Sequence, residues 1–312
     1  MENINNNENQ VSKNKTSFFS GRRIFLCFLI LVLGGFLFFF NLVRLMIVPP
    51  AKVEREFKLP AGSESFSVTN PEGHRIPAWF YKGEENRGTV VLCHGHGVDH
   101  RYMDNVLLIF LKMKLGVIFC DFRAHGKADG YFTSIGKEEW KDLKAVIDKA
   151  FEEGYLKANQ PIVAYGRSMG AALLANGSAQ LPQIKGFILE SCFSELRKIA
   201  GRDAKRVVGL PDCAIIDVVF YLSQMVSGYD YFGNKPIESI TGVASRPLLF
   251  IHDELDPRAT TEDFERFCKK MPTAKTLIVP GAGHVMAYDT APVEFENKVR
   301  EILVECGLNP EK

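Results

Sequence analysis

The sequence predicts an α/β domain with a mostly parallel central sheet and helices on both faces. Between Thr89 and Val279, six continuous apolar runs alternate with segments of helical period. Strands buried on both faces read as such runs, and they are typical of parallel sheets covered by helices. A second observation is residues 162–172, where one run breaks at Gly166 and Gly170 into a row of small helix formers. The length of 312 residues allows one large domain with an ample core.

The composition is that of an ordinary globular chain with balanced charge. Its 38 basic and 37 acidic side chains give a formal net charge of +1. This charge provides no basic field to attract nucleic acid and no acidic field to attract cationic partners. The seven cysteines include no C-x-x-C pair, so we expect neither a structural zinc site nor a disulfide framework.

The N-terminal part of the chain predicts a membrane anchor. Residues 1–23 are rich in Asn, Ser and Lys, and we expect them to form a disordered tail. Residues 24–48 are strongly apolar, and the uncharged stretch 24–43 is long enough to cross the hydrocarbon core as a helix. A cleavable signal peptide is the alternative, but its apolar region should be shorter, and residues 45–51 offer no small-x-small cleavage site.

The charges that flank this span predict its orientation. Arg22 and Arg23 directly precede it, and positive residues favour the cytoplasmic side of a membrane. We therefore expect a single-pass protein whose following domain lies on the non-cytoplasmic side. A short linker over residues 49–60, stiffened by Pro49 and Pro50, keeps that domain close to the bilayer.

After the start of the linker, three short segments with an alternating pattern predict antiparallel strands that lead into the sheet. A turn signal, Asn-Pro-Glu-Gly at residues 70–73, separates the second segment from the third. The parallel strands follow from residue 89. The predicted strands are 53–59, 63–69, 75–82, 89–93, 116–120, 162–165, 187–190, 247–251 and 276–279.

Helices are predicted between these strands and after the last one. The interval from residue 190 to residue 247 is longer than a simple crossover needs, and it contains the strongly apolar segment 214–225. We expect a helical lid at about residues 194–240, over the carboxyl edge of the sheet, and a core helix remote from substrate is the alternative. Apolar residues at helical spacing are Val106, Phe110 and Met113; Trp140, Leu143, Ile147 and Phe151; Phe264 and Phe267; and Phe295, Val299 and Ile302.

Three side chains of the types that act in catalysis follow three of the predicted strands. Ligands of open α/β sheets bind at the carboxyl ends of the strands. Ser168 lies in Gly-Arg-Ser-Met-Gly, the pattern of a sharp strand-to-helix turn that exposes the serine oxygen. A serine hydroxyl is a weak nucleophile unless a base can reach it. Asp256 and His284 follow later strands, and the order Ser, acid, His is that of a hydrolase triad.

Two backbone N–H groups near this serine are candidates for binding an oxyanion. Met169 begins the helix behind Ser168, and the free N–H groups at a helix start point towards the reacting carbonyl. Residues 94–97, His-Gly-His-Gly, follow the first parallel strand, and their glycines let the backbone approach a substrate oxygen. We expect the N–H groups of Met169 and His96 to serve as the two donors.

In these motifs and their order, residues 54–308 resemble the α/β-hydrolases, in the branch that contains S33-type aminopeptidases, acyl-esterases and membrane-tethered thioesterases. His-Gly-His-Gly resembles their oxyanion loop, and the serine motif resembles their nucleophile elbow. Residues 121–126, Asp-Phe-Arg-Ala-His-Gly, resemble their D-x-R-G-x-G turn. Ala124 and Asp253 each stand where the family has a glycine.

The resemblance implies the α/β-hydrolase fold and a hydrolase that needs no cofactor and no metal. Ser168 would attack an acyl ester or thioester, His284 would act as the base, and Asp256 would orient the histidine. Asp253 and Glu254 are alternative candidates for the acid. The substrate would be a small-molecule or lipid-like acyl compound near the membrane.

Three alternatives remain open at this point. The same triad would serve an S33-like aminopeptidase. A metal-dependent hydrolase would instead use His94, His96, Asp99 and His100, although their spacing is one residue longer than in the H-x-H-x-D-H pattern. Finally, the domain would be a non-catalytic, membrane-tethered binding module if its serine were not activated.

Overall fold

The computed structural model describes residues 3–50 and 56–311, with their side chains from residue 21 onward. The chain divides into two compact units, Met1–Leu45 and Met46–Lys312. A single helix, α1 (Asn3–Ile47), forms the described part of the first unit, and its last two residues belong to the second. Its segment Gly21–Ile47 is long and apolar enough to cross a membrane, a test that a signal sequence also passes.

The start of α1 differs from the expected boundary. The sequence predicts a disordered tail over residues 1–23, whereas the described backbone is helical from Asn3. Extending an existing helix costs much less than nucleating one, so a polar segment next to a long apolar helix can join it. The helix ends at Ile47 because Val48 precedes Pro49 and Pro50, and the residue before a proline disfavours the helical conformation.

The second unit is built around one eight-stranded sheet in the order β1-β2-β4-β3-β5-β6-β7-β8. The first two strands pair antiparallel, β2 also pairs antiparallel with β4, and the remaining neighbours are parallel. This topology confirms the predicted sheet with its antiparallel N-terminal strands. The strands are β1 (Ser63–Thr69), β2 (Arg75–Tyr81), β3 (Thr89–Cys93), β4 (Gly116–Cys120), β5 (Ile162–Arg167), β6 (Ile184–Glu190), β7 (Leu248–Asp253) and β8 (Lys275–Val279).

One predicted strand is wrong, and β5 and β6 are each at least two residues longer than predicted. Of the strand expected over residues 53–59, residues 53–55 lie outside the described part, and residues 56–59 form no strand. Phe57 instead packs its ring edge-on against His100 and Phe119. The sixth strand begins before the exposed Lys185, which interrupts its apolar run. The fifth continues through Arg167, whose charge is paired with a buried carboxylate.

Helices cover both faces of the sheet. The alternate residues Val90 and Leu92 of β3 belong to a buried cluster that includes the apolar faces of α2 and α10. Val91 is equally buried, and it faces the opposite side of the sheet because successive side chains of a strand alternate. The helices of the described second unit are α2 (Asp104–Lys112), α3 (Trp140–Glu152), α4 (Met169–Gly177), α5 (Leu196–Val208), α6 (Ala214–Ser227), α7 (Pro236–Ser239), α8 (Thr261–Lys270), α9 (Ala287–Thr290) and α10 (Pro292–Glu305).

Helices α5 to α7 form the helical insertion that the sequence predicts between β6 and β7, and we call them the cap. The cap is tied to the rest of the unit at both ends. Near its C-terminal end, the Tyr231 hydroxyl donates to the carbonyl of Thr133 at 2.9 Å, and the Asn234 amide donates to the carbonyl of Ile135 at 2.8 Å. Near its N-terminal end, Arg202 forms an ion pair with the buried Asp263.

Candidate active site

Ser168 occupies a strained turn between β5 and α4. Its φ angle is 52°, a left-handed conformation that residues other than glycine rarely adopt. The flanking glycines leave room for this turn: a Cβ on Gly166 would collide with the carbonyl of Gly170, and one on Gly170 would collide with the carbonyl of Cys93. Such strain persists only where the surrounding structure enforces it, and it is common at functional sites.

The structure brings Ser168, His284 and Asp256 together at the carboxyl edge of the sheet. The Nε2 atom of His284 lies 3.0 Å from the Oγ atom of Ser168. The other ring nitrogen, Nδ1, lies 2.6 Å from the Oδ2 atom of Asp256. His284 follows β8 and Asp256 follows β7, so the three side chains come from the ends of three different strands.

The Asp256 carboxylate is buried and held by backbone donors. Its Oδ1 atom accepts the N–H groups of Arg258 at 2.8 Å and Ala259 at 3.0 Å, which leaves Oδ2 for His284. Burial alone would raise the pKa of this carboxyl. The hydrogen bond and charge of His284, together with the two backbone N–H groups, outweigh burial and lower the pKa of Asp256 below its ordinary value.

Asp253 and Glu254, the alternative acids, have other partners. Asp253 accepts a hydrogen bond from the Ser191 hydroxyl, and it also accepts the N–H groups of Val285 and Met286, both at 3.2 Å. It therefore holds the backbone that follows His284. Burial and the nearby charge of Glu190 raise the pKa of Asp253 to about 7. Glu254 is exposed, and it accepts the N–H of Gly281 at 2.9 Å.

Glu190 is a residue of this site that the sequence analysis missed. It is fully buried at the end of β6, and one carboxylate oxygen accepts the N–H of Ala287 at 3.3 Å. The other oxygen is bound by Arg167 and by the Tyr165 hydroxyl. The backbone carbonyl of Glu190 accepts the N–H of Ser168 at 2.9 Å. The signal was available, because Glu190 ends an apolar run just as the other site residues follow theirs.

The two candidate oxyanion donors lie on segments next to the serine. Met169 is the first residue of α4, so its N–H has no acceptor within the helix. On the other side, a Cβ on Gly95 would lie 3.6 Å from the Cβ of Ser168, so the loop that carries His96 packs against the serine. Burial and the neighbouring His125 lower the pKa of His96 to about 3, so its ring is neutral at physiological pH.

The segment that resembles D-x-R-G-x-G braces the loops around the site. Asp121 accepts the backbone N–H of His100 at 3.0 Å and that of Lys127 at 2.8 Å. Arg123 is fully buried and forms ion pairs with Asp142 and Glu72. Ala124, which stands where the resemblance leads us to expect a glycine, adopts a φ of 62°, a left-handed conformation that glycine adopts at no steric cost.

Among the described residues, the four side chains of the alternative metal-dependent hydrolase do not form one group of possible metal ligands. Both ring nitrogens of His94 are used by the backbone, one at the carbonyl of Gly95 and the other at the N–H of Phe122. Within the described residues, the group with ligand atoms close enough for a metal is Asp99, His100 and Asp121. In that group, Asp99 is paired with Arg101, and His100 is hydrogen-bonded to Asp121 at 2.7 Å. Each of these three side chains therefore already has a partner within the protein.

Comparison with known proteins agrees with this fold. The sequence model of the family described as serine aminopeptidase, S33, matches residues 84–215. The uncharacterized protein YqkD of Bacillus subtilis (strain 168) is 26% identical over 249 residues, which cover 77% of this chain and 78% of YqkD.

Solved structures with the same fold include esterases and peptidases. The esterase Pf2001 of Pyrococcus furiosus matches with a TM-score of 0.67 at 24% identity, over 83% of this chain and 99% of the esterase. Proline iminopeptidase of Mycobacterium smegmatis matches with a TM-score of 0.57 at 16% identity, over 78% of this chain and 99% of that protein. The second unit therefore has the α/β-hydrolase fold, and the esterase and the iminopeptidase named here share it.

Proposed function

We propose that this protein is a membrane-anchored serine hydrolase that cleaves an acyl ester or thioester. One observation carries the proposal: a single imidazole, that of His284, lies within hydrogen-bond distance of both Ser168 Oγ and Asp256 Oδ2. A nucleophile next to a base, with the base oriented by a third group, is the arrangement that activates a serine hydroxyl.

In the proposed reaction, Ser168 Oγ attacks the acyl carbonyl while His284 Nε2 takes its proton. Asp256 accepts the Nδ1–H of His284, which fixes the tautomer and stabilises the imidazolium that forms. The N–H groups of Met169 and His96 bind the oxyanion, and His284 then gives its proton to the leaving group. Water hydrolyses the acyl-enzyme by the same proton path, so the reaction needs no cofactor.

Labelling of the serine tests this proposal directly. A fluorophosphonate reacts rapidly only with a serine that is activated by a base. We expect it to label the parent and the variant Ser245→Ala, which removes an exposed serine, but not Ser168→Ala. Ester hydrolysis by Ser168→Ala should fall by at least about 10³-fold. Equal labelling of Ser168→Ala would overturn the proposal and favour a non-catalytic binding module.

An aminopeptidase that uses the same triad is the second candidate. It is supported by the match with the S33 family model and by the likeness to proline iminopeptidase. Acyl esters and thioesters of increasing chain length should be compared with aminoacyl amides by their kcat/KM values. We expect an ester or thioester to be preferred, and a higher value for an aminoacyl amide than for every ester would overturn this preference.

The membrane part of the proposal is supported by the apolar segment Gly21–Ile47. The full chain should float with lipid vesicles after high-salt and alkaline washing, because a spanning helix inserts almost irreversibly. Protease applied to intact cells tests the orientation. If the second unit lies on the non-cytoplasmic side, it is degraded, whereas full protection would reverse the predicted orientation.

A further inference from the structure

The point at which the chain enters the second unit is fixed beside the cap. Ile47 is only 1% exposed, and its carbonyl accepts the N–H of Thr133 at 3.0 Å. The Sδ atom of Met46 lies 3.6 Å from the hydroxyl of Ser223, a buried residue of α6. The last residues of the apolar helix are therefore built into the same unit as the candidate active site.

The same segment packs against the loop that carries His96, and it is linked to Met169 through Thr133. A Cβ on Gly97, the residue after His96, would lie 3.1 Å from the ring of Pro50. Thr133, which binds Ile47, has its hydroxyl 3.7 Å from the Sδ atom of Met169. Residues 46–50 thus pack against the surroundings of the site.

The cap helix that contacts Met46 has a largely exposed apolar face, although one of its rings, that of Tyr221, also packs against Phe232. The outer face of α6, defined by Val218, Tyr221, Met225 and Val226, is between 41% and 82% exposed. The first three recur at helical spacing, so they form one stripe. Val207 and Val208, at the end of the preceding cap helix, are also at least half exposed. A stripe of exposed apolar side chains on one helix, such as that of α6, is typical of a surface that interacts with a protein or a membrane.

Two further exposed apolar side chains lie at the site itself. Leu255 directly precedes Asp256 and is 64% exposed, and Met286 lies two residues after His284 and is 44% exposed. Exposure of these apolar side chains to water is unfavourable in free energy, and contact with lipid acyl chains is favourable. We expect this lipid to be that of the membrane in which α1 is anchored. An anchored α1 would end at Ile47, so the bilayer would lie next to the second unit.

We propose that the outer face of α6 lies on the lipid surface in which α1 is anchored, and that the site therefore takes acyl substrates held in that membrane. This inference rests on the proposed anchoring and hydrolysis. An amphipathic helix of this kind buries its apolar face at the boundary between headgroups and acyl chains. Docking would place the acyl bond of a membrane lipid or a lipid-like ester near Ser168 without full extraction into water.

Fluorescence quenching by brominated lipid tests the docking. Tyr221→Trp and the control Val293→Trp replace side chains of nearly equal exposure, 62% and 66%, on α6 and α10. Each full-length variant is reconstituted in phosphatidylcholine vesicles with and without brominated acyl chains, and the parent signal of Trp79 and Trp140 is subtracted. Because acyl chains reach only a docked face, we expect the added signal of Tyr221→Trp to fall by about half and that of Val293→Trp to stay nearly unchanged. Equal quenching of the two variants would overturn the proposal, including the case in which a second copy of the chain covers α6.

Hydrolysis of two kinds of substrate, one embedded in vesicles and one soluble, provides a second test of the docking. The double variant Val218→Lys/Met225→Lys should hydrolyse a long-chain ester embedded in vesicles about tenfold more slowly than the parent, because charged groups oppose docking. Its activity on a soluble short-chain ester should remain within about twofold, as should both activities of Val293→Lys/Val304→Lys. Equal loss on both substrates would contradict the proposal.

The two arms separate this inference from the proposed function. A parent that hydrolyses no acyl ester while Tyr221→Trp is still quenched would overturn the esterase function and leave the docking supported. A parent that is active on soluble esters but whose α6 probe is not quenched would overturn the docking alone. If the full chain does not float with vesicles, the anchoring and this inference both fail.

Discussion

The cap and the floor of the candidate site are held in place by different kinds of contact. By the floor we mean the ends of β7 and β8 and the loops that follow them. In the floor, carboxylates bind backbone N–H groups: Asp256 binds those of Arg258 and Ala259, and Asp253 binds those of Val285 and Met286. The cap is tied mainly by side chains, such as the Tyr231 hydroxyl, the Asn234 amide and the Arg202 guanidinium.

This difference separates two tasks. Backbone donors at strand ends have little freedom, so the groups they bind keep their geometry during a reaction that depends on distances of about 3 Å. Long side chains can exchange partners, so the cap can shift without disturbing the floor. We therefore expect floor substitutions to change the chemical step and cap substitutions to change stability or the handling of substrate.

The largest expected effect is in the floor, at Asp256. Asp256→Asn keeps the shape of the side chain but removes the charge that, in the proposed reaction, stabilises the imidazolium, and its amide favours the wrong tautomer of His284. We expect kcat to fall by about 10⁴-fold. The control Glu254→Gln alters an exposed carboxylate of the same loop and should change kcat by less than about threefold. Steady-state kinetics on one ester decide the matter, and similar effects of the two variants would remove Asp256 from the triad.

A second floor prediction concerns the pH dependence of stability through Asp253. Its folded pKa of about 7 lies above the ordinary value for an aspartate, so the folded state holds a proton that the unfolded state has lost. The contribution of this group to the free energy of unfolding is therefore complete below about pH 4 and declines as the pH rises to about 7. A shift of this size amounts to roughly 2–4 kcal/mol.

Asp253→Asn cannot ionise, so the variant should lack this decline. Denaturant titrations between pH 4 and pH 8 should show the parent losing stability relative to Asp253→Asn by that amount. Glu254→Gln, next to it in the sequence, serves as the control and should follow the parent. Parallel curves for the parent and Asp253→Asn would show that Asp253 is ionised throughout this range.

The contrast between Asp256 and Asp253 also shows how far sequence reasoning reaches. The rule that ligands bind where strands end was enough to predict that Ser168, His284 and the acidic loop after β7 lie together, because the sheet topology brings strand ends to one edge. The partners of Asp253 were not predictable, because they depend on the path of the loop after His284, where Val285 takes a φ of 63°. Local patterns carry no information about such a path.

The same limit explains two other differences. The contact of Ile47 with Thr133 joins residues far apart in the chain, and no periodicity predicts it. Glu190, in contrast, was within reach of the strand-end rule, but its single charge at the end of an apolar run was taken as the strand boundary. Fold class follows from patterns repeated over many residues, whereas individual loop contacts are decided by tertiary packing.

In the cap, the largest effect is expected at the buried Asn234. Its amide donates to the carbonyls of Ser134 and Ile135, and its oxygen accepts from the Asn176 amide. Asn234→Ala removes these three hydrogen bonds, which should lower the free energy of unfolding by about 1–3 kcal/mol. The exposed Asn159→Ala should change it by less than about 0.5 kcal/mol.

If the cap and the floor are separable, Asn234→Ala should change KM more than kcat on a soluble ester. Kinetics at a temperature well below the midpoint of unfolding test this expectation. A fall in kcat as large as that of Asp256→Asn, with KM unchanged, would show that Asn234 controls the chemical step. The cap and the floor would then not have separate roles.

The smallest predicted effect lies at an ion pair that crosses from the cap to the floor. Asp203 of α5 binds the guanidinium of Arg258, with a shortest distance of 2.8 Å, and the backbone N–H of Arg258 binds Asp256. Both side chains are about one quarter exposed, so solvent screens the pair and its contribution to stability should be below about 1 kcal/mol.

The backbone N–H that orients Asp256 is retained when the Arg258 side chain is changed. A double-mutant cycle of Asp203→Asn and Arg258→Gln, followed by the kcat of each variant, should therefore give a coupling energy below about 0.5 kcal/mol. A coupling energy above about 1.5 kcal/mol, calculated from the kcat values, would mean that movement of α5 affects the triad. The cap would then take part in the chemical step.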